Sequence, residues 1–146
     1  MDNSTAPTTL VELARLVRLA AQELDRAIAA CVGDTSVGRW HVLAAVADGE
    51  GRSMSQLGEA ALLTGASLTR LIDAMIAENL VHRRVDDTDR RRVLVFPTPR
   101  GVRAYQTMTT ALADSGLDLL AVGGPRLPKA LTSLIGHIHE AESAHA

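Results

Sequence analysis

The chain has 146 residues, of which 47% are hydrophobic and 22% are charged, and its formal net charge is −2. This balance is typical of one folded globular domain and excludes the disordered and collagen-like classes. No apolar run reaches the roughly 20 residues that a membrane-spanning helix needs, and the first residues lack the pattern of a secretory signal. The single cysteine, Cys31, cannot form an internal disulfide. We therefore expect a cytoplasmic protein with no membrane partner.

Charge is unevenly distributed along the chain. Residues 80–104 contain seven arginines and three aspartates, a local net charge of +4, whereas the remainder carries −6. A basic stretch on an acidic body is typical of a small nucleic-acid-binding surface. Aromatic residues make up only 2% of the chain, and the abundance of alanine and leucine favours helices over a β-sandwich.

The N-terminal third is predicted to be helical. Residues 1–7 are polar, and we expect them to form a loose tail. Apolar residues then recur at helical spacing over residues 10–28 and predict a long helix that ends at Gly33. Ser36 is expected to cap a second helix, which runs through Trp40 to a glycine-containing loop.

Two shorter helices joined by a tight turn follow. Ser53 and Gln56 have the spacing of a capping box, in which each side chain bonds the backbone of the other residue. The second of these helices has an apolar stripe within about 100° of arc. The stripe consists of Leu68, Leu71, Ile72 and Met75. Because Arg70 falls on the opposite face, the pair has the plan of a helix-turn-helix with a small, polar, arginine-bearing surface.

A β-hairpin and two terminal helices complete the predicted elements. Two strand-like runs, residues 80–85 and 92–96, flank a polar, arginine-rich connection that we expect to project as a tip. The pair Thr98-Pro99 marks the start of the next helix. We expect the last two helices at residues 99–121 and 128–144, separated by a Gly-Gly-Pro sequence.

This order of elements is that of a winged helix-turn-helix domain framed by terminal helices. Three motifs stand out: Thr69-Arg70-Leu71-Ile72-Asp73 on the second motif helix, Asp89-Arg90-Arg91 in the hairpin tip and Thr98-x-x-Gly101 at the start of the next helix. With these motifs the sequence resembles the MarR (multiple antibiotic resistance regulator) family. The motif-bearing part covers about residues 36–103.

The resemblance implies a homodimeric transcription regulator, commonly a repressor, that binds a pseudo-palindromic operator in double-stranded DNA and is released by a small ligand or an oxidant. It implies three parts: an N-terminal tail and dimerisation helix (1–34), a winged helix-turn-helix DNA-binding domain (35–103) and C-terminal dimerisation helices (104–146). Leu62 and Gly65 depart from the family pattern, which usually has glycine at the first position and proline or a small polar residue at the second. These departures affect base preference rather than fold.

The expected DNA contacts come from the helix-turn-helix and the hairpin. Arg70 stands where base edges or phosphates of the major groove are reached. Arg91 aligns with the family's minor-groove arginine, and an ion pair with Asp89 can hold one arginine of the tip. Arg83, Arg84 and Arg92 alternate along the strands, so only part of that set is expected to contact phosphate. The full set is Ser53, Thr64, Gly65, Ala66, Ser67, Thr69, Arg70, Arg83, Arg84, Asp89, Arg90 and Arg91.

Dimerisation is also predicted from apolar stripes on the first helix and the last two. These stripes would be largely uncovered in a monomer, and an exposed patch of that extent usually marks an interface. Their residues are Leu10, Leu13, Leu16, Leu112, Leu131, Leu134 and Ile138.

The family resemblance further implies an effector pocket where the dimerisation helices meet the second helix. An apolar cleft with one cation suits a small aromatic acid or phenol, because the ring is buried while the carboxylate pairs with guanidinium. A filled core without a natural ligand is the alternative. The expected pocket residues are Arg15, Leu16, Leu19, Arg39, Trp40, His41 and Leu43.

The sequence gives less support to a redox regulator, a metalloprotein, an enzyme or a protein-interaction module. Cys31 would be the reactive residue of a redox-responsive regulator, but it lies at the end of the first helix among apolar residues and is expected to be structural. His137 and His139 point to different sides of a helix and have no third convergent ligand, so we predict no metal site. The sequence has no nucleophile–base motif and no phosphate-binding loop, so we expect no enzymatic activity and no cofactor.

A winged helix used as a protein-interaction module remains an alternative. The paired Arg90 and Arg91 argue against it, because a protein-docking wing does not need both.

Overall fold

The computed structural model describes residues 9–34, 37–122 and 124–146, so the predicted tail and the Ser36 cap lie outside the described residues. Within these ranges the chain forms helices and one two-stranded antiparallel sheet, which confirms the mainly α fold with a small hairpin. The helices are α1 (Leu10–Val32), α2 (Val37–Val46), α3 (Met54–Ala61), α4 (Gly65–Ala77), α5 (Pro99–Ser115), α6 (Leu119–Val122) and α7 (Arg126–Ala144). The strands are β1 (Val81–Val85) and β2 (Val93–Pro97).

Helix α1 begins and ends at capping residues. The hydroxyl of Thr9 accepts a hydrogen bond from the backbone N–H of Glu12 at 3.1 Å, which satisfies one of the free donors of the first turn. Gly33 follows the helix with a φ of 106°, a conformation that glycine adopts without steric cost. The predicted end of this helix is therefore confirmed.

The hydrophobic core lies in the winged part of the chain, between α2, α3, α4 and the hairpin. Helix α4 buries Leu68, Ile72 and Met75 and partly buries Leu71, so the predicted stripe is confirmed as its inward face. Helices α2 and α3, the sheet and the residue just before β1 supply the rest of the core. Those residues are Val42, Leu43, Val46, Leu57, Leu80, Val81 and Val95.

The predicted capping box at the start of α3 is present. The Ser53 hydroxyl accepts from the N–H of Gln56 at 3.2 Å, and the Ser53 N–H donates to Oε1 of Gln56 at 2.9 Å. The helix ends at Leu62, which has a φ of 53° and is 88% exposed. A non-glycine residue in this left-handed region costs about 1–2 kcal/mol, which explains why glycine is the residue expected at this position.

The hairpin pairs β1 with β2 so that His82 lies opposite Phe96 and Arg83 opposite Val95. Arg52, in the loop before α3, extends this sheet by an isolated bridge to Val95, with N···O distances of 3.1 and 2.8 Å. The loop, the sheet and the start of α3 are thereby fixed to one another.

The junction between β2 and α5 depends on the Thr98-x-x-Gly101 motif. The buried Thr98 hydroxyl donates to the Asn79 carbonyl at 2.6 Å and accepts from the Gly101 N–H at 2.9 Å, while the Thr98 N–H donates to the Leu80 carbonyl at 3.0 Å. A Cβ on Gly101 would collide with the Leu80 carbonyl oxygen. The motif therefore packs the first turn of α5 directly against the segment between α4 and β1.

The prediction of one continuous helix over residues 99–121 is wrong. Helix α5 ends at Ser115 because Gly116 adopts a left-handed conformation with a φ of 80°. The Ser115 hydroxyl donates to the Leu112 carbonyl at 2.7 Å and accepts from the Leu117 N–H at 3.2 Å, which stabilises the break. A short α6 follows, and α7 starts at Arg126, two residues earlier than predicted.

Apolar side chains remain exposed on α1, α6 and α7 in the single protomer, and α7 has no buried residue. Two residues of the predicted stripes are not exposed: Leu112 is only 7% exposed and packs within the protomer, and Leu134 is half-buried. The exposed residues are Leu10, Val11, Leu13, Leu16, Val17, Leu19, Leu24, Leu119, Leu120, Leu127, Leu131, Ile135 and Ile138.

Among the described residues, no single helix is long and apolar enough to cross a membrane. Helices α3 and α4 reach the length and hydropathy of a membrane span only when they are counted together, and the turn between them bends the pair by 100°.

Candidate nucleic-acid interface

The outer face of α4 is small and polar. Ala66, Ser67, Thr69 and Arg70 are all exposed, opposite the buried stripe. The Thr69 hydroxyl donates to the Gly65 carbonyl at 3.2 Å, whereas Arg70 Nη2 is 3.5 Å from the Ser67 hydroxyl, too far for a strong hydrogen bond. The Arg70 guanidinium can therefore reach outward from this face without breaking a strong contact.

The start of α4 presents backbone donors to solvent. Thr64 occupies the cap position, but its side chain makes no capping hydrogen bond, so the cap residue satisfies none of the free N–H groups of the first turn. Gly65 has a φ of 56°, a region that proline cannot reach because its ring fixes φ near −65°. Helix N-termini of this kind suit phosphate groups.

The hairpin tip, residues 86–92, is held in shape by short-range hydrogen bonds. Oδ1 of Asp86 accepts from the N–H and the hydroxyl of Thr88, at 3.0 and 2.8 Å. The backbone of Arg92 closes the tip through bonds to Asp86 and Asp89, each 2.9 Å long. The bonds from Thr88 lower the pKa of the Asp86 carboxyl below its usual value, the Thr88 N–H having the largest effect and the Thr88 hydroxyl the next. The positive charge of Arg92 lowers it further.

Asp89 bonds the backbone of Arg91, while the Arg91 side chain extends into solvent. Oδ1 of Asp89 accepts from the backbone N–H of Arg91 at 3.1 Å and lies 3.4 Å from its Nε. The Arg91 side chain is nevertheless 93% exposed, and Arg90 is exposed beside it. The tip thus carries two extended cations on an ordered turn.

The two arginines of β1 point to opposite faces of the hairpin. Arg84 lies over the ring of Phe96, with its Cζ 4.8 Å from the ring centroid, and His82 stacks on the same ring at 5.7 Å. Arg83 instead reaches α4, where its Nη2 donates to Oδ1 of Asp73 at 2.6 Å. Sequence reasoning did not single out Asp73, although its position three residues after Arg70 on the motif helix placed it near the same face.

The residues expected around an effector occupy several different environments in the protomer. Leu43 is buried in the core, and Trp40 and His41 are half-buried with ring centroids 4.9 Å apart. Arg39 pairs with Glu78 at 2.8 Å and Arg15 pairs with Glu12 at 2.9 Å on the surface of α1. Leu16 and Leu19 are exposed on the same helix. The expected pocket stays a prediction for the assembled protein.

One groove borders the helix-turn-helix and was not predicted. It measures about 710 Å³ and lies between α3 and the first turn of α4. Its apolar lining includes Met54, Leu62 and Leu63, and its polar lining includes Ser55 and Thr64.

The histidines and the cysteine that bear on metal or thiol chemistry lie in the part of the chain that the structure describes. No group of three or more histidine, cysteine or acidic side chains there could hold a metal ion. Cys31 is a free, half-buried thiol at the end of α1.

Comparison with known proteins gives one family. Residues 34–92 match the model of the MarR family; this segment contains α2, α3, α4, β1 and the hairpin tip. No curated protein matches the chain at a significant level.

Solved structures share the fold over nearly the whole chain. A mutant MarR from E. coli complexed with operator DNA has a TM-score of 0.70 at 19% identity and covers 88% of this chain and 94% of its own. BpsR from Bordetella bronchiseptica, whose DNA binding is regulated by 6-hydroxynicotinic acid, has a TM-score of 0.70 at 23% identity, covering 92% and 98%. PcaV from Streptomyces coelicolor, solved with its natural ligand, has a TM-score of 0.64 at 22% identity, covering 97% of both chains.

At these identities the structural neighbours support the fold alone. The sequence match covers both motif helices and the arginine-bearing tip, which carry two of the three predicted motifs, whereas Thr98-x-x-Gly101 lies beyond the matched residues. Residues 34–92 are therefore similar to the MarR family, and the chain as a whole shares the fold of the solved structures named above.

Proposed function

We propose that this protein is a homodimeric transcription regulator that binds a pseudo-palindromic operator and represses transcription. The observation that carries the proposal is the pairing of two surfaces: the exposed polar face of α4 with Arg70, and the ordered tip with Arg90 and Arg91 extended into solvent. Regulators of this family are dimeric DNA-binding proteins, and they are not enzymes.

In this proposal α4 lies in the major groove and the hairpin tip lies in the adjacent minor groove. Ser67, Thr69 and Arg70 are the exposed polar side chains of α4 that face base edges. Arg91 enters the narrower groove, where the negative potential attracts arginine. Thr64, Gly65 and Ala66 bring backbone donors to a phosphate at the helix start. Ser53 can donate its hydroxyl proton to a phosphate while it still accepts the capping bond from Gln56.

The exposed apolar faces of α1 and α7 support the homodimer. Leu131, Ile135 and Ile138 lie on one side of α7 and are 44%, 53% and 49% exposed in the protomer. A helix with one apolar side and no buried residue needs a partner surface. A second copy supplies one with two-fold symmetry, which matches a palindromic operator. This assignment keeps the division into residues 1–34, 35–103 and 104–146.

We further propose that a small aromatic acid or phenol releases the DNA. Support comes from the half-buried Trp40 and His41 on α2 and the exposed Leu16 and Leu19 on α1, which a second copy would cover. Arg15 is the cation best placed to meet a carboxylate, because its pair with Glu12 is exposed to solvent. The ligand must bind the form that does not fit DNA more tightly than the form that does.

The first experiment is a titration of random-sequence duplex DNA with the protein at several salt concentrations, with fluorescence anisotropy as the readout. We expect binding at low salt, and the logarithm of the binding constant should fall linearly with the logarithm of the salt concentration. A protein-interaction module would show no binding at any salt concentration, and that result would overturn the proposal.

The effector is tested by screening aromatic carboxylates for compounds that both raise the melting temperature and free the DNA. An Arg15→Ala variant should lose the response to carboxylates and keep its DNA affinity. If oxidants alone freed the DNA, and did so only with Cys31 present, a thiol switch would replace the ligand proposal.

A further inference from the structure

The ion pair between Asp73 and Arg83 joins the motif helix to the wing strand. Asp73 is exposed on α4 one turn after Arg70, and Arg83 is on the β1 face that also carries the buried Val81. The Nη2–Oδ1 distance is 2.6 Å, and the two side chains keep 42% (Arg83) and 56% (Asp73) of their surface exposed. The pair is thus short, but it is open to solvent and to any molecule that approaches α4.

A carboxylate at this position poses an electrostatic problem for a DNA-binding helix, because it repels phosphate. Arg83 neutralises that charge. The guanidinium carries five N–H donors in a rigid plane, and the bond to Asp73 uses a donor on Nη2 alone. The remaining donors stay available to a second acceptor.

The other strand arginine cannot replace Arg83 in this role. Arg84 lies on the opposite face of the hairpin against Phe96, because successive side chains of a strand point to opposite faces. A phosphate contact from β1 beside the motif helix therefore depends on Arg83.

We propose that Asp73 is a positioning residue for DNA binding: it holds Arg83 beside α4, and the free edge of the Arg83 guanidinium binds a backbone phosphate. The proposal rests on the proposed DNA-binding function. It explains why a DNA-facing helix keeps an acidic side chain and assigns the two strand arginines different tasks.

The proposal predicts that Asp73→Ala changes DNA affinity in the direction opposite to that expected from charge alone. Removal of a negative charge near DNA should tighten binding if charge alone matters. If Asp73 positions Arg83, Asp73→Ala should instead weaken binding about tenfold, which corresponds to about 1.4 kcal/mol. Asp87→Ala, which removes an exposed carboxylate from the hairpin tip, is the matched control and should bind as tightly as wild type or more tightly.

The experiment measures duplex affinity against salt concentration for wild type, Asp73→Ala, Arg83→Ala and the double variant, after thermal unfolding has shown that each is folded. In the Arg83→Ala background, Asp73→Ala should cause no further loss. Both single variants should reduce the salt slope by about 0.9 per lost phosphate contact, and Asp73→Glu should restore part of the affinity.

Two outcomes separate the inference from the proposed function. If wild type binds no duplex at low salt, the proposed function itself fails. If wild type binds but Asp73→Ala binds as tightly with an unchanged slope, or if its loss adds fully to that of Arg83→Ala, the positioning role is wrong while the proposed function stands.

Discussion

Replacement of Arg91 by alanine should separate DNA affinity from protein stability. The Arg91 side chain is 93% exposed, and within the described residues its one ion pair, from Nε to Oδ1 of Asp89, is 3.4 Å long. Loss of such a surface contact should change the free energy of unfolding by less than about 0.5 kcal/mol. The turn itself should persist, because the bond from the Arg91 N–H to Asp89 belongs to the backbone.

The effect on binding should be much larger. We expect a loss of about 1 kcal/mol per protomer, at the lower end of the values for one DNA contact, or about thirtyfold in Kd for the dimer. The slope of log affinity against log salt should fall by about 2, since two cations leave the complex. Specific and random duplexes should be weakened together, because a minor-groove arginine responds to groove width and potential more than to sequence.

The assay is fluorescence anisotropy of labelled duplex between low and moderate salt, with circular dichroism as the check of folding. Arg26→Ala is the matched control: it removes the same charge from α1, where Arg26 pairs with Glu23 at 2.6 Å. If Arg91→Ala kept the affinity and salt slope of wild type, or if Arg26→Ala lost as much, the assignment of the hairpin tip to the minor groove would be wrong.

Three further predictions follow from the fold. Gly101→Ala should lower the free energy of unfolding by about 3 kcal/mol, because the added Cβ meets the Leu80 carbonyl. Gly136→Ala on α7 should not destabilise the protomer, because within the described residues the added Cβ would meet nothing beyond its own stretch of helix. Thermal denaturation compares the two variants. Ile135→Asp should convert the dimer to monomer in sedimentation at micromolar concentration, whereas Ser133→Asp on the other side of α7 should not. The Asp86 carboxyl has a lowered pKa, so its contribution to the order of the tip should be complete above about pH 4 and be lost as pH falls through its folded pKa. An NMR titration of the tip should show that midpoint below 3.8, the ordinary value, and Thr88→Val should raise it.

Local signals made most of the fold predictable from the sequence. The capping box at Ser53 and Gln56, the apolar stripe of α4 and the start of α5 at Thr98-Pro99 each follow from contacts within a few residues, and each is present in the structure. The break at Gly116 was missed because apolar residues continue past it at helical spacing, so periodicity alone gave no sign of the end. Leu112 was placed on an exposed stripe, although tertiary packing buries it.

The candidate site was only partly predictable for a related reason. The positions of Arg70, Arg90 and Arg91 depend on a helix face and a turn, which sequence patterns describe well. The pairing of Arg83 with Asp73 and of Arg84 with Phe96 depends on how the hairpin folds back on α4, and no spacing rule gives that. The expected effector region contains exposed residues of α1, so in the proposed dimer its shape would depend on the second copy of the chain.

The central claim is that two copies of α4 and the hairpin tip read one DNA site together. The most direct test is to select duplexes from a randomised library with the protein and to map the bound sites by hydroxyl-radical footprinting. The account predicts two-fold symmetric protection, with half-sites about 10 base pairs apart, one helical turn, and with minor-groove protection that Arg91→Ala removes. A single unpaired region of protection, or a symmetric footprint that Arg91→Ala leaves unchanged, would contradict it.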